Sequence, residues 1–271
     1  MSSSDRSQSY RALTVASYLS LTLTLVCNDT GLVSQQPGDG QGNEPAGFTL
    51  VTERAFDDKV ESGWVDAGYP GFAIVSDPSA PRSRPNVGQA RFPAGYESGN
   101  APMHTEKRFA GGKSLYVRFW VKFSTNWDGN DSDINKILYA WIARGPRTYI
   151  QAAGRGSAPL YARVNTQGPG DDHTLGGSTA ELVRGRWHMF EVLLTANSVA
   201  GGVDSRVQGW VDSVEFVNFT GSAAAPLTLW AAGESSTWEA VAWTPVYGGG
   251  GEPVPAEQFQ WMDHLYVSTA P

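Results

Sequence analysis

The sequence predicts an all-β fold, a two-sheet antiparallel sandwich of the jelly-roll type. Three observations carry that expectation. From Phe48 onward, short runs of period-two hydrophobicity alternate with clusters of Gly, Pro, Asn and Asp, the pattern of strands separated by turns. The chain of 271 residues holds 31 Gly and 16 Pro beside many Val, Thr, Tyr and Trp, which suits turn-rich sheets. Beyond the N-terminus no long stretch has apolar residues at helical spacing, so the strands must pair with one another in antiparallel fashion.

In chain order, Arg6 and Arg11 precede the run LTVASYLSLTLTLVC, which ends at Cys27. A positive start, an apolar middle and a polar continuation make the layout of an export signal. The run is too short and too rich in hydroxyls for a spanning helix. Residues 1–27 are therefore read as a signal peptide or lipoprotein signal, and the protein as secreted or anchored to the outside of the cell envelope. Cys27 is the only cysteine, so no intrachain disulfide forms. Its place directly after the apolar run resembles a bacterial lipoprotein acceptor and implies membrane attachment through lipid on its sulfur. Val26 stands where such signals usually carry Gly, Ala or Ser, and ordinary cleavage nearby is the alternative. Residues 28–47 (NDTGLVSQQPGDGQGNEPAG) are polar and Gly-rich and read as a flexible linker.

One domain is expected over 48–271. Its strands are expected at 114–124, 136–142, 148–153, 160–165, 186–194, 206–211, 214–219, 227–231, 240–244 and 259–268. WVDSVEFV reads as a hairpin with Asp212-Ser213 at its tip. In LYVRFWVKF, Val117, Phe119, Val121 and Phe123 form a core face, whereas Tyr116, Arg118, Trp120 and Lys122 point the other way. Two cations among two large aromatics suit a groove, where rings stack on sugar faces and cations meet hydroxyls and carboxylates. The competing account is a solvated face over which Arg and Lys lay their stems. RTYIQAAGRG and LYARVN repeat the theme: Arg147, Tyr149 and Gln151 share one side of a strand, and Tyr161, Arg163 and Asn165 share one side of another. Simple cross-strand pairing would also explain them.

LYVRFWVKFSTNW with NKILYAWI, GRWHMFEVLLTANS with SRVQGWVDSVEF, and VYGGGGEPVP with FQWMDHLYVS together resemble the concanavalin A-like jelly rolls of secreted bacterial polysaccharide lyases, family 14 in particular. The match spans residues 113–268. It implies an extracellular protein that engages polysaccharide, with β-elimination on an acidic chain as the leading activity. The family's catalytic Lys lies in a Gly-Gly-Lys-Leu-Pro-Gly motif. Lys136 matches it by type within Ile-Asn-Lys-Ile-Leu, where the glycines and proline are missing. The family's later Arg and Tyr groups correspond to Arg147, Tyr149, Tyr161 and Arg163, without spacing that fixes which. Elimination must neutralise the uronate carboxylate, take a proton beside it and return one to the leaving oxygen. Lys136 and Arg118 would meet the carboxylate, with Tyr149 or Tyr161 in proton transfer and Arg163 completing the catalytic candidates. Tyr116, Arg118, Trp120, Lys122, Arg147, Gln151 and Asn165 are the substrate-binding candidates. A non-catalytic carbohydrate-binding, adhesive or structural envelope protein is the alternative.

Other chemistries fit less well. A net charge of −7 disfavours nucleic acid as a partner. His104, His173, His188 and His264 have no zinc spacing, and His173 in GPGDDHTLGG is read as a loop residue overhanging the groove, a second choice of base. NWDGNDSD gathers Asp128, Asn130, Asp131 and Asp133 but lacks the Gly and Glu of a helix-loop-helix calcium site, so a polar turn is the simpler reading. Glu191, Asp212 and Glu239 do not form the paired carboxylates of a glycosidase strand. No metal and no cofactor is expected.

Overall fold

The computed structural model describes residues 42–57, 63–67, 70–142, 145–167, 172–234 and 237–271, with the side chains of 145–147 excepted. The expected export signal, Cys27 and most of the expected linker lie outside the described residues. Among those described there are fifteen strands and no helix: β1 (Thr49–Arg54), β2 (Trp64–Asp66), β3 (Phe72–Ser76), β4 (Asn86–Phe92), β5 (Thr105–Arg108), β6 (Ser114–Phe123), β7 (Asn135–Ile142), β8 (Gly145–Ala153), β9 (Leu160–Gln167), β10 (Asp172–Leu182), β11 (His188–Thr195), β12 (Arg206–Val211), β13 (Val214–Thr220), β14 (Trp238–Tyr247) and β15 (Gln258–Ala270).

They form two antiparallel sheets. The first runs β13-β12-β11-β6-β15-β4-β3, with β1 also paired to the long β15, and the second runs β10-β9-β8-β7-β14-β5-β2. The architecture is an all-β two-sheet jelly-roll sandwich. Alternation on β6 buries Leu115, Val117, Phe119, Val121 and Phe123 in one core with Leu138, Ala140 and Ile142 of β7 and Ile150 and Ala152 of β8. Phe119 stacks on Phe190 of β11 at 5.2 Å. Near β3, Trp243 meets Phe56 and Phe72 edge-on at 5.5 and 6.1 Å. A Cβ on Gly88 would lie 2.5 Å from the Trp243 ring, so only glycine lets β4 pass there.

The Asp212-Ser213 hairpin forms with Val211 paired to Val214 and both tip residues left-handed, at φ 49° and 70°, the geometry of a two-residue hairpin turn. Asp212 is fixed from outside the turn. Its carboxylate accepts the Met189 N–H at 2.9 Å and lies 2.7 Å from His188 Nδ1. Because His188 Nε2 accepts the Val183 N–H, Nδ1 carries the proton and donates to Asp212.

One expected strand is absent. Residues 227–231 carry only an isolated bridge from Leu227 to Asp204. Leu227 and Leu229 are nevertheless fully buried. The buried Asn197 amide oxygen accepts the N–H groups of Leu229 and Trp230, so a side chain supplies the bonding that a partner strand would. The end of the expected linker is also docked rather than free. Asn43 donates its backbone and side-chain N–H groups to Glu191 at 2.6 and 3.0 Å, and Glu44 accepts hydrogen bonds from the Tyr266 and Ser268 hydroxyls.

Candidate functional site

The outward face of the second sheet holds most of the candidate residues, and a bulge puts the central one there. On β7, strict alternation would place Lys136 beside Leu138, Ala140 and Ile142, facing the core. The register shifts between Lys136 and Leu138, so Ile137 and Leu138 are both buried while Lys136 joins Tyr139 and Trp141 outside. Re-aiming one side chain is what a bulge does.

Cross-strand register then builds two rows. Lys136 pairs with Gln151 on β8, Gln151 with Arg163 on β9, and Arg163 with Gly176 on β10. One step along the strands, Ala242, Tyr139, Tyr149, Asn165 and Thr174 are aligned in the same way. The Tyr139 and Tyr149 rings meet edge to face at 4.6 Å. The Lys136 ammonium sits 4.9 Å from the Tyr149 centroid and 5.9 Å from that of Tyr139, within cation–π range.

Lys136 is half-buried and has no carboxylate partner among the described residues. Burial pushes its pKa below the usual lysine value, because desolvation disfavours the charged form. Burial likewise pushes the Tyr139 phenol up, with the Tyr149 hydroxyl adding to it. Gln151 is 2% exposed, yet its amide has no hydrogen-bond partner among the described residues. The Tyr149 hydroxyl donates to Gln167 Oε1 at 2.6 Å, and Asn165 Nδ2 donates to Thr174 Oγ1 at 3.1 Å.

At the β9 end, Arg163 is held by Asp133, through the carboxylate at 2.7 Å and the backbone carbonyl at 3.2 Å. A Cβ on Gly177 would lie 2.9 Å from Arg163 Nε, so the glycine makes room for the guanidinium. Tyr161, Arg163 and Asp133 line a surface depression of about 310 Å³ together with Gly154, Arg155 and Pro159.

Sequence reasoning missed the opposite end of this face. His104 Nδ1 lies 2.7 Å from Thr244 Oγ1 and its Nε2 lies 3.6 Å from Glu106. Arg108 pairs with Glu106 at 2.6 Å and lies over the Trp141 ring at 5.5 Å. The available signal was the alternation of His104, Glu106 and Arg108 around Thr105, but TEKR is too short and polar to stand out as a strand.

The structure separates the four candidates of LYVRFWVKF from this site. β6 lies between β11 and β15 in the first sheet, so Tyr116, Arg118, Trp120 and Lys122 face away from the core on the other side of the sandwich. The expectation that they share one groove with Lys136 is corrected. LYVRFWVKF and NKILYAWI are neighbours in sequence, but the chain crosses between sheets from one to the other. The four residues have local partners. Tyr116 is fully buried and donates to Glu191 at 2.5 Å. Arg118 lies over Tyr266 at 5.0 Å, and Trp120 pairs in register with Met189 and Asp263. Lys122 pairs with Asp77 and sits between Trp187 and Trp261, 4.8 and 4.9 Å away.

Arg147 belongs to β8, and its side chain lies outside the described ones. His173 does not overhang the face. It pairs with Thr166 within β10, and its ring lies 5.8 Å from Phe219 of the other sheet. Asn130 braces its own turn by accepting the Ser132 N–H at 2.9 Å. Glu191, Asp212 and Glu239 lie respectively in the first sheet, at a hairpin tip and on β14, and form no pair. Among the described residues, no three His, Cys, Asp or Glu side chains are grouped to hold a metal.

No protein-family model matches the chain, and no curated sequence matches it. In fold the chain resembles polysaccharide lyases of the jelly-roll type. An alginate lyase from a Chlorella virus superposes with a TM-score of 0.55 at 11% identity, covering 82% of this chain and 100% of that one. An endo-β-1,4-glucuronan lyase from the fungus Trichoderma reesei gives 0.54 at 13% identity, over 82% and 96%. The globular domain of calreticulin from T. cruzi gives 0.51 at 10% identity, over 81% and 87%. At such identities the likeness concerns the fold.

Proposed function

We propose that this protein binds an acidic polysaccharide across the outward face of the second sheet and cleaves it by β-elimination. The observation that carries this reading is the row Lys136–Gln151–Arg163, in register across three strands. Among the described residues it presents an ammonium without a counter-ion beside the Gln151 amide, which makes no hydrogen bond there. A uronate carboxylate supplies what both lack. Alginate and glucuronan lyases share the fold, and both names denote enzymes of acidic chains.

In the proposed reaction Lys136 and Gln151 neutralise the carboxylate and make the adjacent C–H bond more acidic. Tyr149, acting as phenolate, takes that proton. The electron pair closes a carbon–carbon double bond as the glycosidic C–O bond breaks, and Tyr149 returns the proton to the departing oxygen. One observation favours the alternative of binding without cleavage: the Tyr149 hydroxyl is already engaged by Gln167.

The test incubates the full chain with polyglucuronate, alginate and a neutral glucan, following the ultraviolet absorbance of the unsaturated product. A rise with an acidic polymer, abolished in Tyr149→Phe, supports the lyase. Retained binding without product leaves the non-catalytic alternative. Absence of both refutes the proposal.

A further inference from the structure

We infer that the depression beside Arg163 is a second carboxylate subsite, with Arg155 as its anion-binding residue. The inference rests on the acidic-glycan reading above and deepens it. Three features point to it. The depression is lined by Arg155, Arg163 and Asp133. Arg163 is committed to Asp133 at 2.7 Å, whereas the exposed Arg155 side chain has no ion pair or hydrogen bond among the described residues. The free positive charge in the depression is therefore that of Arg155.

The wall that carries Arg155 is built rather than loose. Gly156 exchanges backbone hydrogen bonds with Gly129 at 2.8 and 2.6 Å. The Arg184 guanidinium donates to the carbonyls of Gly156 and Ala158, both at 2.9 Å, and to that of Trp127 at 2.6 Å. A Cβ on Gly154 would lie 2.6 Å from the Pro159 carbonyl oxygen, so glycine sets the close turn that forms the floor.

Position gives the site its meaning. Lys136 and Arg163 are two strands apart in register, roughly 10 Å. Tyr161, opposite Ala153, lies a further pleat repeat of about 7 Å along β9. The depression thus lies beyond the sugar whose carboxylate meets Lys136. A chain crossing the row puts a later uronate there, its carboxylate on Arg155 and its hydroxyls on Asp133. The site takes a polyuronate long enough to span both positions.

The experiment measures affinity of the full chain for purified oligouronates of increasing length, for wild type, Arg155→Met, Lys136→Met and, as a charge-loss control, Arg206→Met on the other sheet. The exposed Arg155 side chain has no partner among the described residues, so its substitution leaves the fold intact. Wild-type affinity should rise where the oligomer becomes long enough to reach the depression. Arg155→Met should remove that rise, about five- to tenfold, with short oligomers unaffected and Arg206→Met silent. Equal affinity of Arg155→Met and wild type at every length, with Lys136→Met impaired, overturns the subsite alone. Indifference of both to Lys136→Met overturns the acidic-glycan reading itself.

Discussion

Lys136→Met should weaken acidic-glycan binding and strengthen the fold at the same time. Its ammonium is half-buried on two tyrosine rings with no carboxylate partner among the described residues, and burial lowers its pKa. The folded chain therefore binds the lysine proton less well than the unfolded chain does. At any pH below the folded pKa that cost is fully present, and it disappears as pH rises through the folded and then the unfolded value. Methionine keeps the length and the ring contacts without the charge. For a group still partly in water the gain is at most about 1 kcal/mol, a rise of roughly 2–4 °C in Tm for a domain of this size. A charge-assisted hydrogen bond to a carboxylate contributes roughly 1.5–3 kcal/mol, so losing it lowers affinity about 10- to 100-fold. Thermal melts at neutral pH and calorimetric titration with polyglucuronate give both readouts from one sample. A lower Tm together with unchanged affinity would refute the reasoning, because Lys136 would then be a structural residue.

Three further outcomes follow from packing and electrostatics. Arg54 is fully buried, pairs with Asp66 through two bonds of 3.0 Å and lies over the rings of Phe56, Trp64 and Phe72. Asp66→Ala removes both of these bonds from a buried guanidinium and should cost about 3–5 kcal/mol, read as a lower urea midpoint with unchanged slope. Asn197→Ala removes the acceptor for Leu229 N, Trp230 N and Ser205 Oγ. It should cost about 2–3 kcal/mol and speed hydrogen exchange at 227–231. For Asp212, burial alone would raise the pKa, but the bonds from His188 and Met189 outweigh it and hold the carboxyl below its ordinary 3.8. That contribution is complete above pH 3.8 and lost as pH falls through the folded pKa. Asp212→Asn should flatten the acid limb of the stability profile, and an unchanged limb would contradict the assignment.

The sandwich was legible because its signals are local. Val117, Phe119, Val121 and Phe123 show one buried face in four alternate positions, and the Gly, Pro and Asp clusters mark where strands stop. The 227–231 run carried the same alternation and misled, since burial there is achieved by a loop hung on Asn197. The site was legible in part. Tyr149, Gln151, Tyr161, Arg163 and Asn165 follow strict alternation and share the expected face. Lys136 reaches it through a bulge that periodicity does not announce. The division of Tyr116, Arg118, Trp120 and Lys122 from that face was not legible, because sheet membership is set by pairing across distant parts of the chain. β6 is flanked by β11 and β15, and nothing within LYVRFWVKF distinguishes that from pairing with its sequence neighbour β7. His104, Glu106 and Arg108 were invisible for a related reason, lying just before and on a four-residue strand with no apolar signature.

The sharpest discriminator between the two faces of the sandwich is affinity electrophoresis in gels containing polyglucuronate, comparing wild type, Lys136→Met and Lys122→Met. Retardation of wild type and Lys122→Met, with free migration of Lys136→Met, is the predicted pattern. Retardation lost in Lys122→Met and kept in Lys136→Met would move the glycan to the opposite sheet and contradict the account.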